Sequence, residues 1–227
     1  MSAATGESIA IPVAQGQIEA DLRVPERAAG LVMFAHGSGS SRFSTRNRFV
    51  AGFLEANGFG TLLLDLLTRE EEAIDIHTRE FRFDIDRLAR RVVLATDWVQ
   101  NRKDLQPLPV GYFGASTGAA AALVAAAARS GVVRAIVSRG GRPDLANGWL
   151  QQVLAPTLLI VGGADTQVLA LNRSAQSAMG RWAELQVVPR ATHLFEEPGA
   201  LEQAATAAAD WFTHWLQPEP KVASSRR

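Results

Sequence analysis

The stretch VGYFGASTG, residues 110–118, joins a short apolar run to the alanine-rich run 119–128. The apolar run predicts a buried strand, and the alanines predict a helix that can lie close to a sheet. Residues 114–118 fit the pattern Gly-x-Ser-x-Gly, which is typical of a nucleophile held on a strained strand-to-helix turn. Ser116 is therefore the candidate nucleophile. In an alternative interpretation, its side chain only caps the following helix.

Similar apolar runs alternate with amphipathic segments along the rest of the chain. They predict strands at 29–36, 60–67, 110–115, 132–138, 157–163 and 184–189, after two antiparallel strands at 8–13 and 17–24. Helices are predicted at 46–57, 85–99, 117–129, 169–179 and 201–215. Nearly continuous apolar strands are typical of parallel sheets. The pattern predicts an α/β architecture: a mostly parallel, doubly wound sheet of about eight strands, with helices on both faces and no large cap domain.

The composition is that of an ordinary globular protein. The 227 residues include 23 basic and 23 acidic side chains and no cysteine. The zero net charge argues against sequence-independent nucleic-acid binding, and the lack of cysteine excludes disulfides and a thiol nucleophile. We expect one domain over residues 1–216 and a disordered polar tail at 217–227. Without a recognisable secretory signal, we expect a cytoplasmic protein.

One segment has the length of a membrane span. Residues 105–128 carry no charged side chain and could cross a bilayer as a helix. They include two prolines and three glycines, however, which interrupt a helix. We therefore expect a strand, a turn and a buried helix here, and no membrane partner.

A serine nucleophile needs a base to accept its proton and an acid to orient that base. His193 is the one histidine that lies both downstream of Ser116 and at the end of a predicted strand. Asp165 ends the strand before it, in GGAD. Parallel strands bring their carboxyl ends to one edge of the sheet, so Ser116, Asp165 and His193 form the predicted triad. Asp144 is the alternative acid, or else a helix N-cap.

The segment HGSGS, residues 36–40, follows the first predicted parallel strand. In the α/β-hydrolase arrangement, one oxyanion donor is the N–H after the nucleophile and the other comes from this loop. We therefore expect the amides of Ser38 and Thr117 to form the oxyanion hole. His36 is expected to hold the loop by side-chain hydrogen bonds. The alternative is a glycine- and serine-rich turn without a catalytic role.

HGSGS, GASTG, GGAD and ATHLF (residues 191–195) together resemble the α/β-hydrolase superfamily, and the compact size resembles its dienelactone hydrolase branch. The resemblance covers roughly residues 8–216. It implies hydrolysis of carboxylic esters or lactones, with no cofactor and no metal. Dienelactone hydrolases proper use a cysteine nucleophile, whereas this chain has Ser116. The departure puts dienelactone itself in doubt as the substrate and keeps serine esterase chemistry as the expectation.

Three further residues are candidates for substrate contact. Arg139 ends the sixth predicted strand, and Arg82 follows a charged loop at 69–80. An arginine at either position could hold a substrate carboxylate with two hydrogen bonds. For Arg82 we favour instead a surface salt bridge with Glu70, Glu71 or Glu72. Phe195 could line the acyl pocket or belong to the core.

Other functions share these residues. A thioesterase, amidase or peptidase would use the same triad, and so would a lyase or perhydrolase. A catalytically silent partner protein is a different class. Some relatives resembling this chain are fused to phosphoribosyltransferase domains, and we expect no such domain here. The intact triad favours an enzyme whose partner is a small ester or lactone; the sequence does not indicate an oligomeric state.

Overall fold

A single eight-stranded sheet runs through the computed structural model, which describes residues 5–146 and 148–216. Its strands are β1 (Thr5–Pro12), β2 (Gln17–Val24), β3 (Leu31–Ala35), β4 (Gly60–Leu64), β5 (Val110–Ala115), β6 (Val133–Arg139), β7 (Thr157–Gly162) and β8 (Ala183–Val188). Their order is β1-β2-β4-β3-β5-β6-β7-β8. Strands β1, β2 and β4 pair antiparallel, and all other pairs are parallel. The predicted mostly parallel sheet is confirmed.

Helices cover both faces of the sheet. They are α1 (Thr45–Ala56), α2 (Arg69–Thr78), α3 (Ile85–Asn101), α4 (Thr117–Ala128), α5 (Thr166–Met179) and α6 (Ala200–Leu216). Apolar side chains of α1 and α6 form one core with one face of the sheet, and those of α3, α4 and α5 form the second core with the other face. Between β6 and β7 the described residues form two short 3₁₀ turns and no large cap. Because helices lie on both faces of the sheet, the prediction of a doubly wound arrangement is confirmed.

The parallel register places the predicted site residues at one edge of the sheet. Ala115, the last residue of β5, lies beside Arg139, the last residue of β6. Strands β7 and β8 continue the same parallel register as far as Gly162 and Val188. The loops that carry Ser116, Asp165 and His193 therefore leave the sheet at its carboxyl edge, where open α/β sheets bind their ligands.

The structure corrects the sequence prediction at residues 69–78, which form α2 instead of a charged loop. The Thr68 hydroxyl accepts a hydrogen bond from the N–H of Glu71, and the Glu71 carboxylate accepts one from the N–H of Thr68. This capping box satisfies two N–H groups at the helix start. The prediction failed because α2 buries only Asp75 and so has no apolar periodicity to detect.

The uncharged segment 105–128 folds as expected, into turns, β5 and α4. Among residues 5–146 and 148–216, no helix is both long and apolar enough to cross a bilayer. The tail at 217–227, predicted to be disordered, lies outside the described residues.

Candidate active site

Ser116 occupies a strained turn between β5 and α4. Its backbone angles are φ 51° and ψ −121°, in a region that side-chain-bearing residues rarely adopt. Its hydroxyl makes no capping hydrogen bond to α4, so the alternative interpretation as a helix cap is wrong. The strain therefore holds the hydroxyl out of the helix, in the position that a nucleophile needs.

Gly114 and Gly118 make this turn sterically possible. A Cβ atom at Gly118 would lie 2.2 Å from the carbonyl oxygen of Ala35 and 2.3 Å from that of His36. At Gly114 it would lie 2.4 Å from the Cα of Ala119. All three distances are well below van der Waals contact. The two glycines therefore prevent clashes with neighbouring backbone.

His193 and Asp165 form a hydrogen-bonded pair. The Nδ1 atom of His193 lies 2.7 Å from Oδ2 of Asp165. The other carboxylate oxygen accepts a hydrogen bond from the N–H of Val168 at 3.4 Å and so caps α5. Because the carboxylate faces Nδ1, this nitrogen carries the proton and Nε2 is left as the basic atom. The side chain of His193 is 38 % exposed, which makes it accessible to a substrate.

A glycine turn after β6 connects Ser116 and His193 in space. The N–H of Ser116 donates to the carbonyl of Arg139, and the N–H of Arg142 donates to the carbonyl of Ser116. Gly140 lies between Arg139 and Arg142 in the turn, and a Cβ atom added to it would lie 3.6 Å from ring atoms of His193. No hydrogen bond joins the Ser116 hydroxyl to His193, both of which are described. Catalytic hydrogen bonds often tighten only when the substrate binds.

Asn172 on α5 fixes this glycine turn and was missed from the sequence. Its fully buried amide donates to the carbonyls of Gly141 and Val168, at 2.9 and 2.8 Å. A Cβ at Gly141 would lie 2.0 Å from Oγ of Ser138, so only glycine fits. A polar residue within a predicted helix and the Gly-Gly pair were the available signals.

The alternative acid, Asp144, has a different partner. Its carboxylate accepts two hydrogen bonds from the guanidinium of Arg142, at 2.8 and 2.7 Å. These bonds raise the pKa of Arg142 above its ordinary value. The structure therefore pairs His193 with Asp165 and engages Asp144 elsewhere.

His36 holds the loop after β3. Its Nδ1 atom lies 2.8 Å from the carbonyl oxygen of Gly37, and its Nε2 accepts a hydrogen bond from the N–H of Leu66 at 3.1 Å. Burial lowers the pKa of His36, which keeps the ring neutral. A neutral ring can donate a hydrogen bond through Nδ1 and accept one at Nε2. The expectation that His36 supports the loop by side-chain hydrogen bonds is confirmed.

The two predicted oxyanion donors lie side by side next to the nucleophile. A Cβ at Gly37 would lie 3.1 Å from the Cβ of Ser116, so the loop passes directly against it. The N–H of Ser38 donates to Oγ1 of Thr117 at 2.8 Å. This contact was not expected from the sequence, because it links residues 79 positions apart.

Arg82 forms an ion pair, but with a partner that the sequence analysis missed. Its Nε lies 2.7 Å from Oδ2 of Asp75, and its Nη2 donates to the carbonyl oxygen of Asp75 at 3.0 Å. The expected pairing with Glu70, Glu71 or Glu72 is wrong. Burial alone would raise the pKa of Asp75, but the hydrogen bonds from Arg82 and the N–H of Phe81 outweigh it and lower the pKa.

Arg139 is a buried cation without a counter-ion among the described residues. It is 6 % exposed, and its Nε is buried without a hydrogen-bond partner. The guanidinium carbon lies 5.5 Å from the ring centroid of Phe195, which is 2 % exposed and packs in the α1 and α6 core. Burial, with a smaller contribution from Arg46, lowers the pKa of Arg139 to about 10.

A cavity of about 280 Å³ opens beside the loop after β3. Residues 36–40 form one wall, and Leu67, Ile76 and Arg82 contribute to the others. A larger cavity of about 590 Å³ lies between β8 and α6 and includes no triad residue. Within the described part of the chain, no group of three or more acidic or histidine side chains is arranged to hold a metal ion. No triad residue lines the smaller cavity either, but its wall includes Gly37, whose added Cβ would lie 3.1 Å from the Cβ of Ser116.

Comparison with known proteins identifies relatives over most of the chain. The model of the dienelactone hydrolase family matches residues 18–219. The crystal structure of dienelactone hydrolase from Anabaena variabilis ATCC 29413 is similar, with a TM-score of 0.93 and 54 % sequence identity, over 95 % of this chain and 100 % of that chain. Est1E from Butyrivibrio proteoclasticus has a TM-score of 0.77 at 15 % identity, over 92 % and 98 % of the two chains. That likeness shows the fold alone.

Two curated relatives come from Mycobacterium tuberculosis strains CDC 1551 / Oshkosh and ATCC 25618 / H37Rv. Each is named "Putative phosphoribosyl transferase" and is 55 % identical over 215 residues, which are 94 % of this chain and 48 % of the relative. This chain therefore spans about half the length of these relatives.

Proposed function

Because this chain belongs to the dienelactone hydrolase family, we propose that it is a serine hydrolase that cleaves small or short-chain carboxylic esters or lactones. The observation that carries the proposal is the strained turn at Ser116, whose hydroxyl is left free of the helix that it precedes. The hydrogen bond between His193 and Asp165 at the same edge of the sheet supports it.

In the proposed reaction, the Oγ of Ser116 attacks the substrate carbonyl while Nε2 of His193 accepts its proton. Asp165 keeps the imidazole in the required tautomer and stabilises its positive charge. His193 then protonates the leaving alkoxide, which yields an acyl-enzyme. In the second half, His193 accepts a proton from water, the hydroxide attacks the acyl carbonyl, and Ser116 leaves with the proton returned from His193.

The proposed size of the substrate rests on the cavity lined by the loop that passes against Ser116. A cavity of about 280 Å³ is at the small end of ligand pockets. The connection between β6 and β7 provides no large cap to enclose a long acyl chain. Short acyl groups and small lactones fit these dimensions best.

The proposal is tested with a fluorophosphonate and a series of p-nitrophenyl esters. We expect intact-mass analysis to show one adduct, located by peptide mapping at Ser116, and hydrolysis to fall as the acyl chain lengthens from acetate to decanoate. Protein unfolded in urea is the control and should take no adduct, because activation needs the assembled triad. Folded protein that takes no adduct would overturn the proposal and favour a silent partner protein.

We extend the proposal to a negatively charged group on the substrate, held by Arg139. This arginine lies between the two halves of the site, since its carbonyl accepts the N–H of Ser116 and its guanidinium faces Phe195, two residues after His193. A buried charge without a partner is costly, and a carboxylate bound to the guanidinium would compensate it. Arg82 is less suited, because Asp75 already engages its guanidinium.

The substitution Arg139→Met tests this extension. We expect it to raise KM for a p-nitrophenyl ester that carries an acyl carboxylate by about tenfold, the effect of losing one charge-assisted hydrogen bond, and to leave a neutral ester unaffected. The melting temperature should stay or rise, since a buried unpaired charge is removed. Arg142→Met is the matched control, because Arg142 is already paired with Asp144. An equal change for both esters in Arg139→Met would contradict a charge contact.

A further inference from the structure

The oxyanion hole expected from the sequence has only one free amide in this structure. The N–H of Ser38 has a single hydrogen, and it is donated to Oγ1 of Thr117 at 2.8 Å. The N–H of Thr117 is different, because it belongs to the first residue of α4 and has no acceptor within the helix. One of the two expected donors is therefore available, and the other is already occupied.

The Thr117 hydroxyl lies 2.8 Å from the nitrogen of Ser38, which was expected to be the second donor. Thr117 is 3 % exposed and directly follows the nucleophile, and its oxygen is fixed by Ser38 of the loop that passes against Ser116. A hydroxyl has one proton to donate in addition to the bond that its oxygen accepts. The described residues provide no acceptor for that proton, so it is free to turn toward a bound carbonyl oxygen.

We propose that the Thr117 hydroxyl donates the second hydrogen bond to the oxyanion, in place of the Ser38 amide. This inference rests on the proposed serine hydrolase function. The hydrogen bond from the Ser38 N–H to the Thr117 oxygen draws electron density from the hydroxyl. It thereby strengthens the hydrogen bond that the hydroxyl donates to the oxyanion. The hole then consists of two donors from one residue, the amide and the hydroxyl of Thr117, and Ser38 acts as a positioning residue behind them.

The structure also permits an alternative in which the Thr117 hydroxyl only blocks the Ser38 amide and does not donate to the oxyanion. The two arrangements predict different effects of removing the hydroxyl. If the hydroxyl only blocked the Ser38 amide, a substrate would have to displace it, and removing the hydroxyl would free the amide. Activity would then stay the same or increase. If the hydroxyl is the donor, its removal takes away a bond that is made to the transition state.

Thr117→Val keeps the shape of the side chain and removes the hydroxyl, whereas Thr117→Ser keeps the hydroxyl and removes the methyl group. On a p-nitrophenyl ester that the wild type hydrolyses, we expect Thr117→Val to lower kcat by about 100-fold, with KM within about twofold, as for loss of one oxyanion donor. Thr117→Ser should stay within about fivefold of the wild type. Affinity for a trifluoromethyl ketone, which forms an oxyanion on Ser116, should fall by the same factor as kcat/KM.

A Thr117→Val enzyme within about threefold of the wild type, or faster, would overturn the inference. So would a loss of activity in which trifluoromethyl ketone affinity is unchanged. Circular dichroism and thermal unfolding show whether the variant is folded; if it is not, Thr117→Ala and Thr117→Ser are compared in its place with the same criteria. Failure of the proposed function looks different, because the wild type itself would then lack both hydrolysis and a fluorophosphonate adduct.

Discussion

Replacing Ser116 with alanine is expected to lower kcat for ester hydrolysis by at least about 10⁴-fold, because no other group can form the acyl-enzyme. The same variant should take no fluorophosphonate adduct. Its stability should stay close to that of the wild type, since the Ser116 hydroxyl makes no capping bond and alanine is no more strained than serine at φ 51°. Activity assays, intact-mass analysis and thermal unfolding measure the three outcomes.

Ser130→Ala is the matched control for this experiment. Ser130 follows the opposite end of the same helix, α4, and is exposed. Its replacement should leave hydrolysis and labelling unchanged. Hydrolysis retained at more than about one tenth in Ser116→Ala would mean that Ser116 is not the nucleophile. A strong loss in both variants would point to damage to α4 instead of loss of chemistry.

Asp165→Asn is expected to lower kcat by about 10³- to 10⁴-fold. An asparagine amide facing Nδ1 of His193 favours the tautomer with the proton on Nε2, which can no longer accept the proton of Ser116. The capping bond to the N–H of Val168 is kept, because asparagine caps helices as well as aspartate does. Steady-state kinetics should therefore show a large loss while the unfolding temperature changes little.

Asp144→Asn separates the two acids considered for the triad. Asp144 contacts Arg142 and not His193, so its replacement should change kcat by less than about threefold. If Asp144→Asn were the more damaging variant, the assignment of Asp165 as the orienting acid would be wrong. Comparable small effects of both would mean that His193 needs no carboxylate.

Most elements of the sheet were predictable because burial restricts their composition locally. The runs at β2 and β5 coincide with the observed strands, and the others agree to within a few residues at each end. The exception, α2, is stabilised by its cap and first-turn charges instead of an apolar face. A search for apolar periodicity does not detect such a helix, although the Thr68-x-x-Glu71 spacing was visible.

The positions of Ser116, Asp165 and His193 followed from the sequence because each comes shortly after the end of a strand, and parallel strands collect these ends at one edge. The local pattern could not predict which groups pair across the site. The bond from Ser38 to Thr117, the pairing of Arg82 with Asp75 and the isolation of Arg139 are all properties of the folded chain. Such partners depend on distances between segments that are remote in sequence, and these distances exist only once both cores have packed.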